Sequence, residues 1–194
     1  MQPEPEQVQW LFATGFLILG LCLLGEAIVG RRVWRRRAWR AYLWPSVLFA
    51  MGVLMWPVMV FYTNSTIHMI AHGAWAQVIM LAGAAHLGLV SGRLRSRWWE
   101  LTMPLAFLVS GLAFLVHEAN PWLYSRAAFL HHVNGWVLVI GAIFPLARVF
   151  RPRSLAWSSG YALVFVVVAV VLFCDRDVAS VFGHLSPLAG LPHR

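Results

Sequence analysis

The chain has 194 residues, of which 60% are hydrophobic and 11% charged, where soluble domains carry about 45–50% and about 25%. With a mean hydropathy of +0.71, it has too little polar surface to cover a water-soluble globule. Disorder, collagen and a disulfide-stapled secreted fold are excluded as well, which leaves an integral membrane protein. The net charge of +8 is carried by arginine, with no lysine in the chain. Twelve of the fifteen arginines form three clusters, Arg31, Arg32, Arg35, Arg36, Arg37 and Arg40, then Arg93, Arg95 and Arg97, then Arg148, Arg151 and Arg153. Each lies between apolar segments, as in the cytoplasmic loops of membrane proteins. No nucleic-acid partner is expected, and the first cluster is suited to attract anionic lipid headgroups.

In chain order, six apolar segments approach the length needed for a hydrocarbon core of about 30 Å at about 1.5 Å per helical residue. They fall at about 8–29, 42–62, 67–90, 101–116, 129–150 and 157–173. The expected fold is therefore all-α, a bundle of six transmembrane helices over 1–179 with a short outer tail at 180–194. The first span reads as retained, because the residues before it hold Glu4 and Glu6 and no base, unlike a cleaved signal. The arginine-rich first, third and fifth loops place both termini outside a bacterial inner (plasma) membrane. Trp34, Trp39, Trp44, Trp98, Trp99 and Trp157 would flank the cytoplasmic level, and Trp10 and Trp122 the outer one. Pro45, Pro57, Pro104 and Pro145 predict kinks near helix ends. Cys22 and Cys174 have no metal-finger or disulfide spacing. Asn64-Ser65-Thr66 fits a glycosylation sequon, expected to be unused so close to the membrane.

Seven of the eight histidines fall on the outer side of this topology. His68 and His72 are i,i+4 at the outer end of the third span and share a face. His117 and Glu118 close the fourth span, and His131 and His132 open the fifth. Five imidazoles and one carboxylate thus reach one depth, and these are donors for zinc or copper. Within the adjacent pair, His131 shares its face with Gly135, Leu138 and Ala142, and small residues such as Gly135 and Ala142 mark helix contacts in membranes. His132 points about 100° away, along Trp136 and Val139. On the third span, His68, His72, Ala76, Ile79, Gly83 and His86 form one stripe, expected to face the interior.

Met51, Met55 and Met59 make a sulfur stripe on the second span, and Met69 stands beside His68. Thioether with imidazole favours Cu(I), so Met59 and Met69 are auxiliary soft ligands in this reading. His72 and His86 lie fourteen residues apart, about 21 Å along the axis, similar to the spacing of stacked haems in membrane b-type cytochromes. No second helix carries a matching pair. A single outer haem b between His72 and His131 or His117 is the alternative. Deeper in the membrane, Glu26 is expected to snorkel or pair with an arginine of the first loop, and with His86 it makes a possible inner polar site.

The run Ile67-His68-Met69-Ile70-Ala71-His72, with His117 and His131-His132, resembles copper-resistance D-type membrane proteins and the related copper-delivery proteins of oxidase assembly. The resemblance covers about 67–148. It implies outer-side copper binding or movement at His68, His72, His117 and His131. The stretch from His117-Glu118 to His131-His132 also resembles a eukaryotic family of histidine-rich multi-span proteins with no assigned activity. No nucleophile elbow, phosphate loop or interior carboxylate pair points to an enzyme. The leading expectation is a metal-binding protein that handles copper, with ligands from His68, His72 and His131 and with His117 or Glu118 completing the shell. Its partner would be a periplasmic metal carrier or a respiratory complex. The alternatives are the haem carrier and a structural accessory subunit without cofactor.

Overall fold

The computed structural model describes residues 5–62, 66–116 and 126–174, of which residues 5, 6, 61, 62, 67, 68 and 126–128 by backbone alone. The sequon and the tail at 180–194 therefore lie outside the described residues. The elements are α1 (Pro5–Val29), α2 (Arg31–Trp34), α3 (Ala38–Tyr62), α4 (Thr66–Val90), a 3-10 turn at Arg97–Leu101, α5 (Thr102–Val116), α6 (Arg126–Gly141), α7 (Ile143–Phe150) and α8 (Leu155–Phe173). Among the described residues there is no strand. Six segments are long and apolar enough to cross a membrane: Gln7–Val29, Ala38–Val60, Met69–Val90, Arg97–Val116, Phe129–Phe150 and Leu155–Phe173. The protein is an all-α, multi-pass membrane protein. Helix is the form such segments must take, because lipid offers no partner to an unpaired backbone amide.

Local chemistry sets the helix ends. Gly30 (φ 87°) and Gly92 (φ 74°) take the left-handed conformation after α1 and α4, which glycine adopts without a Cβ clash. The Ser96 and Ser154 hydroxyls accept the backbone N–H groups of Trp98 and Trp157 and start the 3-10 turn and α8. Of the four prolines expected to kink their spans, Pro145 marks a break. It has no N–H to return to the Gly141 carbonyl, and the fifth span divides there into α6 and α7. Pro45 and Pro57 lie inside an uninterrupted α3, and Pro104 sits in the first turn of α5, where no intrahelical N–H is needed.

The spans close into a ring in chain order. α1 packs on α3, α3 on α4, α4 on α5, α5 on α6, α6 and α7 on α8, and α8 back on α1. Small residues set the crossings. A Cβ on Gly111 would stand 2.8 Å from the Gly135 carbonyl and 3.0 Å from the Val139 nitrogen, so α5 and α6 touch backbone to backbone. Gly83 meets the backbone of Phe49 in the same way between α4 and α3. Lipid tails are as apolar as leucine, so this close packing, more than hydrophobic burial, holds membrane helices together.

Aromatic side chains fill the ring's centre. Phe12 and Phe16 of α1 meet the Trp75 ring of α4, with centroids 5.3 and 6.4 Å apart. Phe16 also stacks on Phe165 of α8 at 5.9 Å, and Phe107 of α5 meets Phe165 edge-on at 5.1 Å. Lipid-facing residues such as Leu112, Val116 and Ile140 remain exposed. Overpacking a crossing costs about 1–3 kcal/mol. Gly111→Val is accordingly expected to lower the unfolding free energy in detergent by about that amount. Val116→Ala on the lipid face should change it by less than about 0.5 kcal/mol; equal effects of the two would contradict the crossing.

Candidate functional site

At one end of the ring a cavity of about 70 Å³ lies on the bundle axis, and all six spans contribute to its wall. Its polar lining comes from Gln9 of α1, His72 of α4, Ser110 of α5 and His131 of α6, and Met55 of α3 adds a thioether. The stripes read from the sequence explain why these meet. Met51, Met55 and Met59 are all buried, as are Ala76, Ile79 and His86 along the stripe of α4. His131 is 7% exposed, on the face of α6 that also buries Leu138 and Ala142, and its ring lies 5.4 Å from that of Phe114.

The remaining expected ligands are distributed differently. His132 is exposed and borders an apolar furrow beside Trp136 and Val167 on the outer surface of the bundle. Met69 is 52% exposed, directed away from the axis. Met59 is buried beside Gly73, one turn from Met55, which is the sulfur that reaches the cavity. The side chain of His68, with His117 and Glu118, lies outside the described residues. Among the described residues, no group of three or more His, Cys, Asp or Glu is arranged to hold a metal ion. What the fold brings together there is two imidazoles and one thioether.

Two further polar groups were not singled out in the sequence. Trp75 lines the cavity, and its indole N–H is buried with no hydrogen-bond partner among the described residues. Asn134, one turn beyond His131, is fully buried, and neither end of its amide has a partner among the described residues. A buried asparagine in a span is legible as unusual, but nothing in the sequence indicates that its amide goes unsatisfied.

The opposite end holds a charge network. A single Glu26 oxygen accepts from the Arg148 Nη2 at 2.9 Å and from the Arg31 Nε at 3.0 Å. Arg31 also reaches Glu100 at 3.5 Å. The expected partner from the first loop is thus present as Arg31, and the unforeseen one is Arg148, 122 residues away. Burial by itself would lower the Arg31 pKa, but Glu100 and Glu26 outweigh it and hold the guanidinium above its ordinary value. The Arg148 guanidinium also lies 5.4 Å from the centre of the Tyr161 ring. His86 does not join Glu26 through any hydrogen bond. It packs against Trp44, centroids 4.7 Å apart, so Trp44, expected at the interface, is instead buried.

No protein family, curated protein or solved structure matches this chain. Function therefore has to be argued from the two polar ends and from what separates them. Between them stand Phe16, Phe107 and Phe165, with Tyr161 following towards Arg148.

Glu26 and Arg148 are 5% and 6% exposed, and removing one partner of a buried pair costs about 3–5 kcal/mol. Glu26→Gln is expected to destabilise the protein by roughly that amount in a denaturant titration in detergent micelles. Glu26→Leu combined with Arg148→Met should recover most of the loss, because no buried charge is then left uncompensated and Arg31 keeps Glu100. A double variant at least as unstable as the single one would show that the pair is not the source.

Proposed function

We propose that the axial cavity binds a single Cu(I) ion through His72, His131 and the thioether of Met55, in a protein that handles copper on the outer face of a bacterial inner membrane. The observation that carries this reading is the convergence of two imidazoles and a sulfur, from three different spans, on one small cavity. Imidazole and thioether are the donors that select Cu(I). Both are neutral as ligands, and among the described residues no carboxylate lines the cavity. A divalent ion would keep its full charge in an apolar setting, where uncompensated charge is costly, so a monovalent soft ion suits the donor set better. A volume of about 70 Å³ is far below the roughly 300–1,000 Å³ of pockets that enclose organic ligands. This favours an ion over the haem of the alternative reading.

Under this reading the arginine-rich loops face the cytoplasm by the positive-inside rule, and the cavity lies towards the periplasm. His68, His117 and Glu118 are then placed by topology to pass copper to or from a periplasmic carrier or a respiratory complex. Trp75 and Ser110 would serve as donors that orient a neighbouring water or ligand. Binding and hand-over on one face are favoured over transport, because aromatic rings fill the axis below the cavity.

The deciding experiment is elemental analysis and an absorption spectrum of the detergent-purified protein, followed by Cu(I) titration against a chromogenic chelator. One Cu(I) per chain is expected, lost in His72→Ala and in His131→Ala and retained in His132→Ala. Met55→Leu, which removes a direct ligand, should weaken binding by at least the roughly 10–100-fold that loss of an outer-shell partner costs. A Soret band lost with His72→Ala would replace the copper reading with the haem carrier. Absence of both metal and haem after reconstitution would leave a structural accessory subunit.

A further inference from the structure

At the arginine-rich end, a cleft of about 540 Å³ opens between the junction of α1 with α2 and the turn that leads from α7 into α8. Four guanidinium groups border it: Arg31 and Arg32 from α2, Arg148 from α7 and Arg153 from the turn. Ser154 and Ser158 add two hydroxyls, and Leu23, Ala27 and Leu155 form an apolar wall. Glu26 is the one carboxylate in the lining among the described residues, and it is already engaged by Arg148 and Arg31. The cleft therefore keeps a strong positive excess.

Three observations indicate what this excess is for. Arg32 and Arg153 are exposed and have no carboxylate partner among the described residues. The side chain of Arg148 is 7% exposed, yet its Nε–H has no partner among the described residues. Buried guanidinium N–H groups ordinarily find an acceptor, so a built anion site would account for the one left over. Finally, the cleft meets the first turn of α8, a helix of 19 residues, whose free N–H groups and dipole favour negative charge.

We infer that this cleft is a binding site for the phosphate of an anionic phospholipid. The headgroup phosphate sits between Arg32 and Arg153 at the rim, within reach of the Ser154 and Ser158 hydroxyls. The acyl chains run along Leu23, Ala27 and Leu155 into the bilayer. The apolar wall distinguishes a lipid from free phosphate, because Leu23 and Ala27 belong to a span and Leu155 opens another. Guanidinium suits this ligand, since its planar fork meets two phosphate oxygens at once. The inference concerns the end of the bundle opposite the cavity lined by His72 and His131 and does not rest on copper binding.

The test uses the full chain in nanodiscs of phosphatidylcholine with increasing fractions of phosphatidylglycerol, and retained lipid is counted by native mass spectrometry. One phosphatidylglycerol per chain is expected to persist after the annular lipids are stripped. The double variant Arg32→Gln/Arg153→Gln, both residues exposed, should bind it about 30-fold more weakly, as expected for two interfacial arginines, with an unchanged thermal midpoint. Arg95→Gln/Arg97→Gln, which removes two arginines of the same end outside the cleft, should leave binding unchanged. Equal losses in the two double variants would replace the site with diffuse surface charge and overturn the inference. So would equal retention of phosphatidylcholine. Inorganic phosphate is titrated in discs with and without phosphatidylglycerol; saturation of the cleft by phosphate that phosphatidylglycerol does not weaken would make free phosphate the occupant and overturn the lipid assignment.

Discussion

One carboxylate oxygen on Glu26 holds two guanidinium groups at the arginine-rich end, and the closed ring depends on it there. Arg148 brings the fifth span to the first, and Arg31, shared with Glu100, brings in the start of the fourth. A lone carboxylate or guanidinium at this depth would cost several kcal/mol in desolvation. Each charge is therefore tolerable only while the others stay in place. That mutual requirement fixes the first, fourth and fifth spans relative to one another at this end, a task that apolar surfaces cannot perform when the solvent is itself apolar. Elsewhere the same task falls to close backbone contacts such as Gly111 with Gly135, which admit only one approach of α5 to α6.

The spans were legible because their signal is redundant. Each needs only length, apolarity and a break, and arginines or glycines provide the break at most ends on the arginine-rich side. The interior faces of α4 and α6 were legible too, since small residues recur at helical spacing beside His72 and His131. Pairings between distant segments were less so. Arg148 reads as a loop cation in the sequence, and only the ring, by placing the fifth span across from the first, turns it into the partner of Glu26. The choice between Met55 and Met59 has the same origin, because both lie on one face of α3 and only the depth of the cavity separates them. Trp44 was misplaced for a related reason: tryptophan prefers the interface in general, but here it covers the buried imidazole of His86.

The two polar ends differ in how their charges are satisfied. At the arginine end Glu26 and Glu100 engage Arg31 and Arg148, and the surplus is cationic and lies at a rim. At the histidine end the described polar side chains, Gln9, His72, Ser110 and His131, converge on a cavity whose wall is otherwise largely apolar. The surplus positive charge of the first end disfavours cations there. Under the proposed readings, lipid contacts belong to that face and ligand chemistry to the other.

Phe12, Phe16 and Trp75 serve both regions, because they line the cavity and also form the upper layer of the aromatic packing. Below them, Phe165 and Tyr161 continue the contact to the ring against which Arg148 rests. Interiors packed this closely transmit displacement instead of absorbing it. A shift of α1 against α8 would therefore move the floor of the cavity and the Tyr161 support of Arg148 together. For a permeating ion the same packing is a barrier, since the Phe16 and Phe107 rings both pack on Phe165 across the axis. Movement across the membrane would require these rings to separate, which means opening the ring of helices and breaking the crossings that hold it closed.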